Sequence, residues 1–154
     1  MKLKLILLFF LCAQVYAQTL TGKVIAIKDG DTVVVLDAEN TQTTLRLAEV
    51  DCPEKAQAFG TRAKQFTSDA VYLKQIKYEV TDTDRYGRSI AKIYYDDNKY
   101  LSAEIIKHGF GWQYKQYSTS KLLAKLEQEA RQNKRGLWVD ANPIYPSDFR
   151  KSKR

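Results

Sequence analysis

The most informative residues are carboxylates whose spacing is not explained by solvation of a surface. In "DGDTV", Asp29 and Asp31 flank Gly30, and in "LRLAEVDCPE" Asp51 and Glu54 follow Arg46 on one segment. Carboxylates brought to one spot repel each other unless a cation or a proton intervenes. Hard oxygen donors of this kind suit Ca²⁺ or Mg²⁺. Zinc is disfavoured, because one histidine and two cysteines make no His/Cys cluster. "DRYGRS" adds Arg85 and Arg88, with Gly87 permitting a bend. The planar guanidinium fork matches phosphate oxygens in a bidentate way that an ammonium group does not. Two arginines facing a carboxylate-bound ion would clamp a phosphodiester, with a further carboxylate at hand for water. Each residue alone has an ordinary explanation: "DGDT" as a turn, "DCPE" as a helix start, an arginine as half of a surface ion pair. Convergence of all of them decides the matter.

Convergence depends on the elements that carry these residues. Residues 19–27 and 31–38 are β-branched runs separated by "KDG", and 41–50 is a third strand after "EN". Antiparallel pairing of the second and third strands would set Asp31 beside Asp51. Arg46 stands about 16 Å from Asp51 along an extended strand, and its long side chain points the functional end toward it. From Ala56 to Leu73 apolar residues recur at spacings of three and four, which predicts a helix with Gly60 as a weak point. Strands return at 76–82 and 89–95. A short helix follows at 101–109, closed by Gly109. The last helix starts from Ser118, Thr119 or Ser120, carries a stripe of Leu122, Leu123, Leu126 and Ala130, and ends before Gly136. Five strands with about three helices inserted late is an α+β, mainly β chain, and the five-stranded OB barrel fits that count.

Residues 1–17 combine Lys2 and Lys4, an apolar run from Leu5 to Leu11, and small residues near Ala17. This is the layout of a secretory signal peptide cleaved near Ala17, and the run is shorter than the about 20 residues that span a bilayer. Export, to the periplasm or the medium, is therefore expected, with no lasting membrane association. Cleavage removes Cys12 and leaves Cys52 alone, which excludes an intrachain disulfide framework. It also takes Lys2 and Lys4 from 25 basic residues, leaving 23 against 18 acidic ones. A basic exported domain is biased toward polyanions such as nucleic acid, anionic lipid or wall polymers.

Taken in order, "DGDTV", "LRLAEVDCPE", "DRYGRSIAKIYY" and a late "GLW" at 136–138 resemble the staphylococcal (micrococcal, or thermonuclease) nuclease family. The resemblance runs from about Leu20 to Trp138, inside an expected domain of residues 18–140. It implies an OB-type barrel with three helices, one Ca²⁺ ion, and hydrolysis of DNA and RNA, single strands preferred, leaving 3′-phosphate ends. Asp31 and Asp51 match the calcium carboxylates, and the Cys52 carbonyl matches the third protein ligand. Glu54 matches the residue that positions or deprotonates water. Arg46 and Arg88 match the arginines that bind phosphate and stabilise the developing charge. Tyr86 matches a tyrosine of the nucleotide pocket, and either Tyr114 or Tyr117 matches a second. Cys52 replaces a threonine of the best-known member, and "KAQAFG" after Glu54 is shorter than that member's loop.

The alternative from another class is a non-catalytic OB-fold module that binds nucleic acid. A pure binder has no use for Glu54 beside phosphates. A calcium-binding structural module leaves Arg46 and Arg88 unexplained. His108 reads as a solvated residue at a helix end, and Trp112 and Trp138 as core or core rim. Residues 141–154 read as a basic tail in which "RKSKR" is disordered and attracted to phosphate. A monomer is expected.

Overall fold

A computed structural model describes residues 18–153; the expected signal segment, residues 1–17, and Arg154 lie outside the described residues. β1 (Thr19–Asp29) and β2 (Thr32–Leu36) pair antiparallel, and the β-branched Val33, Val34 and Val35 bury β2 against the interior. β3 (Gln42–Leu47) returns along β2 with Arg46 opposite Thr32. The single strand expected over 41–50 is broken after Leu47. Glu49 takes a left-handed conformation, φ 66°, and β4 (Val50–Asp51) belongs to a separate small sheet. That break decides where Asp51 goes.

α1 (Gly60–Val71) comes next. It starts four residues later than the periodicity predicts, and Gly60 is its first residue rather than a mid-helix weak point. A Cβ there would lie 2.0 Å from the Glu54 carbonyl oxygen, so glycine is what lets the helix start against that peptide. β5 (Gln75–Thr83) pairs with β1, and β6 (Ser89–Tyr95) pairs with β5. β6 also pairs parallel to β3, Leu45 opposite Ser89 and Arg46 opposite Ile90. This last ladder closes the five long strands into a barrel of the OB type, in the order β3-β2-β1-β5-β6. β7 (Lys99–Tyr100) extends β6 and leads directly into α2 (Leu101–Lys107), which Gly109 closes at φ 75°. β8 (Trp112–Gln113) pairs with β4, Asp51 opposite Trp112.

Val24, Val33, Leu45, Leu47, Ile76 and Ile93 fill the barrel, capped by Leu101 and Ile105 of α2 and Leu123 of α3 (Lys121–Gln132). Ser120 caps α3, its hydroxyl accepting from Leu123 N–H at 3.3 Å. Leu122, expected in the apolar stripe, is exposed; the buried face is Leu123, Glu127 and Ala130. Glu127 is tolerated there because its carboxylate accepts from Gln113 N–H at 2.6 Å and from Arg131. A 3₁₀ turn, Gly136–Val139, places Trp138 edge-on to Trp112.

The expectation for residues 141–154 needs correcting. Residues Pro146–Ser152 form a fourth helix, α4, with Pro146 buried at its start. Tyr145 packs edge-on against Trp112 at 5.5 Å between ring centroids, and the Gln57 side chain donates to the Ile144 carbonyl. Proline at the first helical position, Asp148 in the first turn, and Arg150 and Lys151 in the last all favour this helix. Tertiary packing orders what composition alone describes as a tail.

Candidate active site

The site is built on the β1–β2 turn. Gly30 brings that turn against Cys52 and α1: a Cβ on it would stand 2.9 Å from the Cβ atoms of both Cys52 and Ala63. Thr67 of α1 donates to the Gly30 carbonyl at 2.5 Å. Asp31 is thereby held beside the β4 exit, where its Oδ2 accepts the Cys52 N–H at 2.9 Å. Thr32 Oγ1 donates to the other oxygen at 3.1 Å.

Arg46 reaches the same place from β3. Because the chain turns at Ala48–Glu49, its guanidinium meets Asp51 instead of trailing it along a strand. Nη2 donates to Asp51 Oδ1 at 3.0 Å, and Nη1 lies 3.3 Å from Asp31 Oδ2. Nη1 also donates to the carbonyls of Leu47 and Val50 at 3.0 and 2.9 Å. Burial works against the charge on Arg46, but Asp31 and Asp51 outweigh it and raise its pKa. Asp51 is 1% exposed. Burial, with Asp31 nearby, pushes its carboxyl up to about 6 in spite of Arg46 and Arg150. Asp51 Oδ2 has no hydrogen-bond partner among the described residues. The nearest cation to that oxygen is Arg150 of α4, whose Nη2 stands 3.5 Å away as an ion pair without a hydrogen bond. Burial also raises Asp29, with Asp31 and Glu54 adding to the effect.

Glu54 leaves β4 just after Pro53. Its N–H donates to Gln57 Oε1 at 3.1 Å and its carbonyl accepts from Gln57 N–H at 2.8 Å. Its carboxylate receives Arg150 of α4, Nη1 to Oε1 at 2.5 Å. Across the cleft, Arg88 sits at the start of β6, its Nε donating to Asp84 Oδ2 at 2.7 Å and its Nη1 reaching Thr32 Oγ1 at 3.5 Å. Tyr86 is 68% exposed, with the guanidinium groups of Arg85 and Arg88 4.8 and 5.6 Å from its ring centroid. Tyr114 and Tyr117 meet edge-on at 4.8 Å. All of these side chains line one open cleft of about 700 Å³. The structure therefore brings together Asp31, Arg46, Asp51, Cys52, Glu54, Tyr86, Arg88, Tyr114 and Tyr117.

Three contributors were not foreseen. Arg150 was assigned to a tail. Asp84 accepts the backbone N–H groups of Tyr86 and Arg88 at 2.9 and 3.0 Å as well as the Arg88 side chain; despite a burial penalty, these bonds hold its carboxyl below the usual range. Glu49 joins distant parts of the rim. Its Oε1 accepts from Ser118 Oγ and its Oε2 from Tyr100 OH, both at 2.9 Å, and Lys92 Nζ lies at 3.6 Å. The Glu49 carbonyl takes Tyr114 N–H at 2.9 Å, tying the tyrosine loop to the turn between Arg46 and Asp51. His108, as expected, is an exposed residue at the end of α2, its Nδ1 2.8 Å from the Glu104 carbonyl. Trp112 is buried and offers no open stacking face.

Among the described residues no three His, Cys, Asp or Glu side chains converge as metal ligands. Two carboxylates and the Cys52 main chain are the donors present. The unpartnered, buried Asp51 Oδ2 and the hard-oxygen character of the set fit a cation such as Ca²⁺. Two guanidiniums, a carboxylate near solvent and an aromatic rim make the cleft able to hold a phosphodiester and act on water.

Comparison with known proteins agrees with that chemistry. The sequence pattern of the family described as "Staphylococcal nuclease homologue" matches residues 44–140. An uncharacterized endonuclease of Haemophilus influenzae is 38% identical over 97% of this chain and 84% of its own length. An uncharacterized endonuclease of Escherichia coli O157:H7 is 36% identical over 93% and 90%. A micrococcal nuclease of Shigella flexneri is 35% identical over 86% and 82%.

Proposed function

The chain belongs to the staphylococcal nuclease homologue family, and from that premise we propose that it is an exported, Ca²⁺-dependent nuclease. It hydrolyses phosphodiester bonds of DNA and RNA with little sugar or sequence specificity, prefers single strands, and leaves 3′-phosphate ends. The observation that supports this reading most is the meeting of Asp31, Asp51 and Glu54 with Arg46 and Arg88 in one cleft.

In this reading Arg88 and Arg46 bind the scissile phosphate. Arg88 is aimed by Asp84 through Nε and by a long bond from Nη1 to Thr32 Oγ1, and it lines the cleft. Arg46 is ion-paired with Asp31 and Asp51; once their charge is met otherwise, its N–H groups turn to phosphate oxygens. Glu54 accepts a proton from the attacking water. The water oxygen bonds to phosphorus as the P–O5′ bond breaks, and the departing O5′ takes up a proton from solvent, leaving a 3′-phosphate and a 5′-hydroxyl. Charge gathered on the phosphoryl oxygens is met by the two guanidiniums, of which Arg88 is positioned by Asp84 before the substrate arrives. Asp31, Asp51 and the Cys52 carbonyl would hold one Ca²⁺, which supplies a further positive charge for water and phosphate. Tyr86 and the Tyr114–Tyr117 pair give unpaired bases a surface to stack on, which supports the single-strand preference. Export is supported by the make-up of residues 1–17.

Incubating single-stranded DNA and RNA with the protein in Ca²⁺, and separately in a chelator, tests this reading. Cleavage to 3′-phosphate ends is expected only with Ca²⁺; intact substrate in its presence would sink the enzyme reading. Calcium binding is also expected to depend on pH. Protonated Asp51 cannot ligate, and its pKa is raised to about 6. Affinity should therefore be constant above that value and fall as pH drops through it, by about tenfold per unit below. Calorimetric titration between pH 4.5 and 8 measures this, and a flat profile would remove Asp51 from the ligand set.

A further inference from the structure

Arg150 has no part in the chemistry of Arg46, Glu54 and Arg88, yet it is seated among them. It enters from α4, 96 residues beyond Glu54 in the chain. Its Nη1 donates to Glu54 Oε1 at 2.5 Å, and its Nη2 stands 3.5 Å from Asp51 Oδ2. The first of these oxygens belongs to the group assigned to take the proton from water. The second is the buried oxygen that has no hydrogen-bond partner among the described residues. No other described side chain donates to the Glu54 carboxylate.

A guanidinium spanning these two oxygens opposes catalysis twice. A carboxylate engaged in a charge-assisted hydrogen bond is a poorer proton acceptor. Positive charge against Asp51 Oδ2 also repels a cation that would use that oxygen. The contact is built to come apart. The Arg150 side chain is 43% exposed, α4 has seven residues, and among them only Pro146 is buried. The anchors, Tyr145 on Trp112 and Gln57 on Ile144, lie before the helix, so Arg150 rides on the lightly held end.

We propose that α4 is an autoinhibitory latch, in which Arg150 bridges Glu54 and Asp51 and must leave both when the cation and the substrate phosphate bind. The proposal rests on the calcium reading of the site. Without ligands, the latch neutralises the acidic side of the cleft and occupies the base. With them, a phosphodiester is itself an alternative partner for the displaced guanidinium, so a polyanionic substrate favours the open form and a free mononucleoside does not.

Calcium titrated calorimetrically into wild type, R150A and R150Q tests the latch, with the cleavage of single-stranded DNA followed from low to saturating Ca²⁺. Arg150 is a surface residue, and thermal melting confirms that each variant is folded. Both variants are expected to bind Ca²⁺ about three- to tenfold more tightly than wild type. Their kcat/KM should exceed that of wild type at low Ca²⁺. Equal Ca²⁺ affinity in wild type and variants would overturn the latch alone. Lower kcat in the variants at saturating Ca²⁺ would also overturn it, making Arg150 a substrate ligand. No Ca²⁺ binding by any of the three would overturn the calcium reading and the latch with it.

Discussion

Glu54→Gln is expected to lower turnover on single-stranded DNA by about 10²- to 10⁴-fold, the range of general-base catalysis. The substitution keeps the shape of the side chain and removes its ability to take a proton, together with the charge that faces the half-exposed Arg150. Little else should move, because the Glu54 backbone is fixed independently of its carboxylate. Gln57 bonds both its N–H and its carbonyl, and the start of α1 packs against the same peptide through Gly60. Melting temperature should therefore stay near that of wild type. Steady-state kinetics at saturating Ca²⁺ measure the loss, and a variant that cuts as fast as wild type would end the assignment of Glu54.

Arg88→Ala is expected to reduce kcat by about 10²- to 10³-fold, the cost of one preorganised charge-stabilising donor. KM should change much less. The basis is the rigidity of the Asp84–Arg88 turn. Asp84 accepts two backbone N–H groups and the Arg88 Nε, so the turn and the guanidinium are fixed by one carboxylate. A donor held in this way before substrate binds is most useful where charge develops late. Arg88→Lys should recover little, because an ammonium group cannot bond Asp84 through one nitrogen and offer a planar fork to phosphate with the others. A loss confined to KM would contradict a role in the transition state.

Much of this centre is legible in the chain because it depends on local patterning. Alternation and turn residues place 31–38 and 41–50 as neighbouring strands, and antiparallel pairing then brings Asp31 to the far end of its partner, as the β2–β3 ladder does. The break at Glu49 is not legible in the same way. A glutamate at φ 66° is unfavourable locally, and what holds it there is Ser118 and Tyr100, 69 and 51 residues away. Without that turn Arg46 and Asp51 would lie far apart on one strand, as the extended reading has them. Leu122 is exposed and Glu127 buried on this helix, where Gln113 N–H and Arg131 satisfy the buried carboxylate, a condition invisible to hydrophobic periodicity. α4 is missed for a similar reason. "RKSKR" has the composition of a solvated tail, and the helix that takes in its first three residues follows Tyr145, which rests on an aromatic surface supplied by Trp112.

The parallel β3–β6 ladder has a consequence for timing. It joins residues 45–47 to 89–91, and it is the last pairing needed to make the barrel continuous. Pairings between segments so far apart in sequence form slowly, since the loop between them loses its entropy before any contact compensates. Arg46 and Arg88 stand on opposite sides of that ladder, so the two cations face each other only after the barrel has closed. A chain still unfolded, as it would be while crossing a membrane in the proposed export, carries every residue of a nuclease and none of its activity. Competence to cut requires the closed barrel, and the cell that makes the protein is spared it until then.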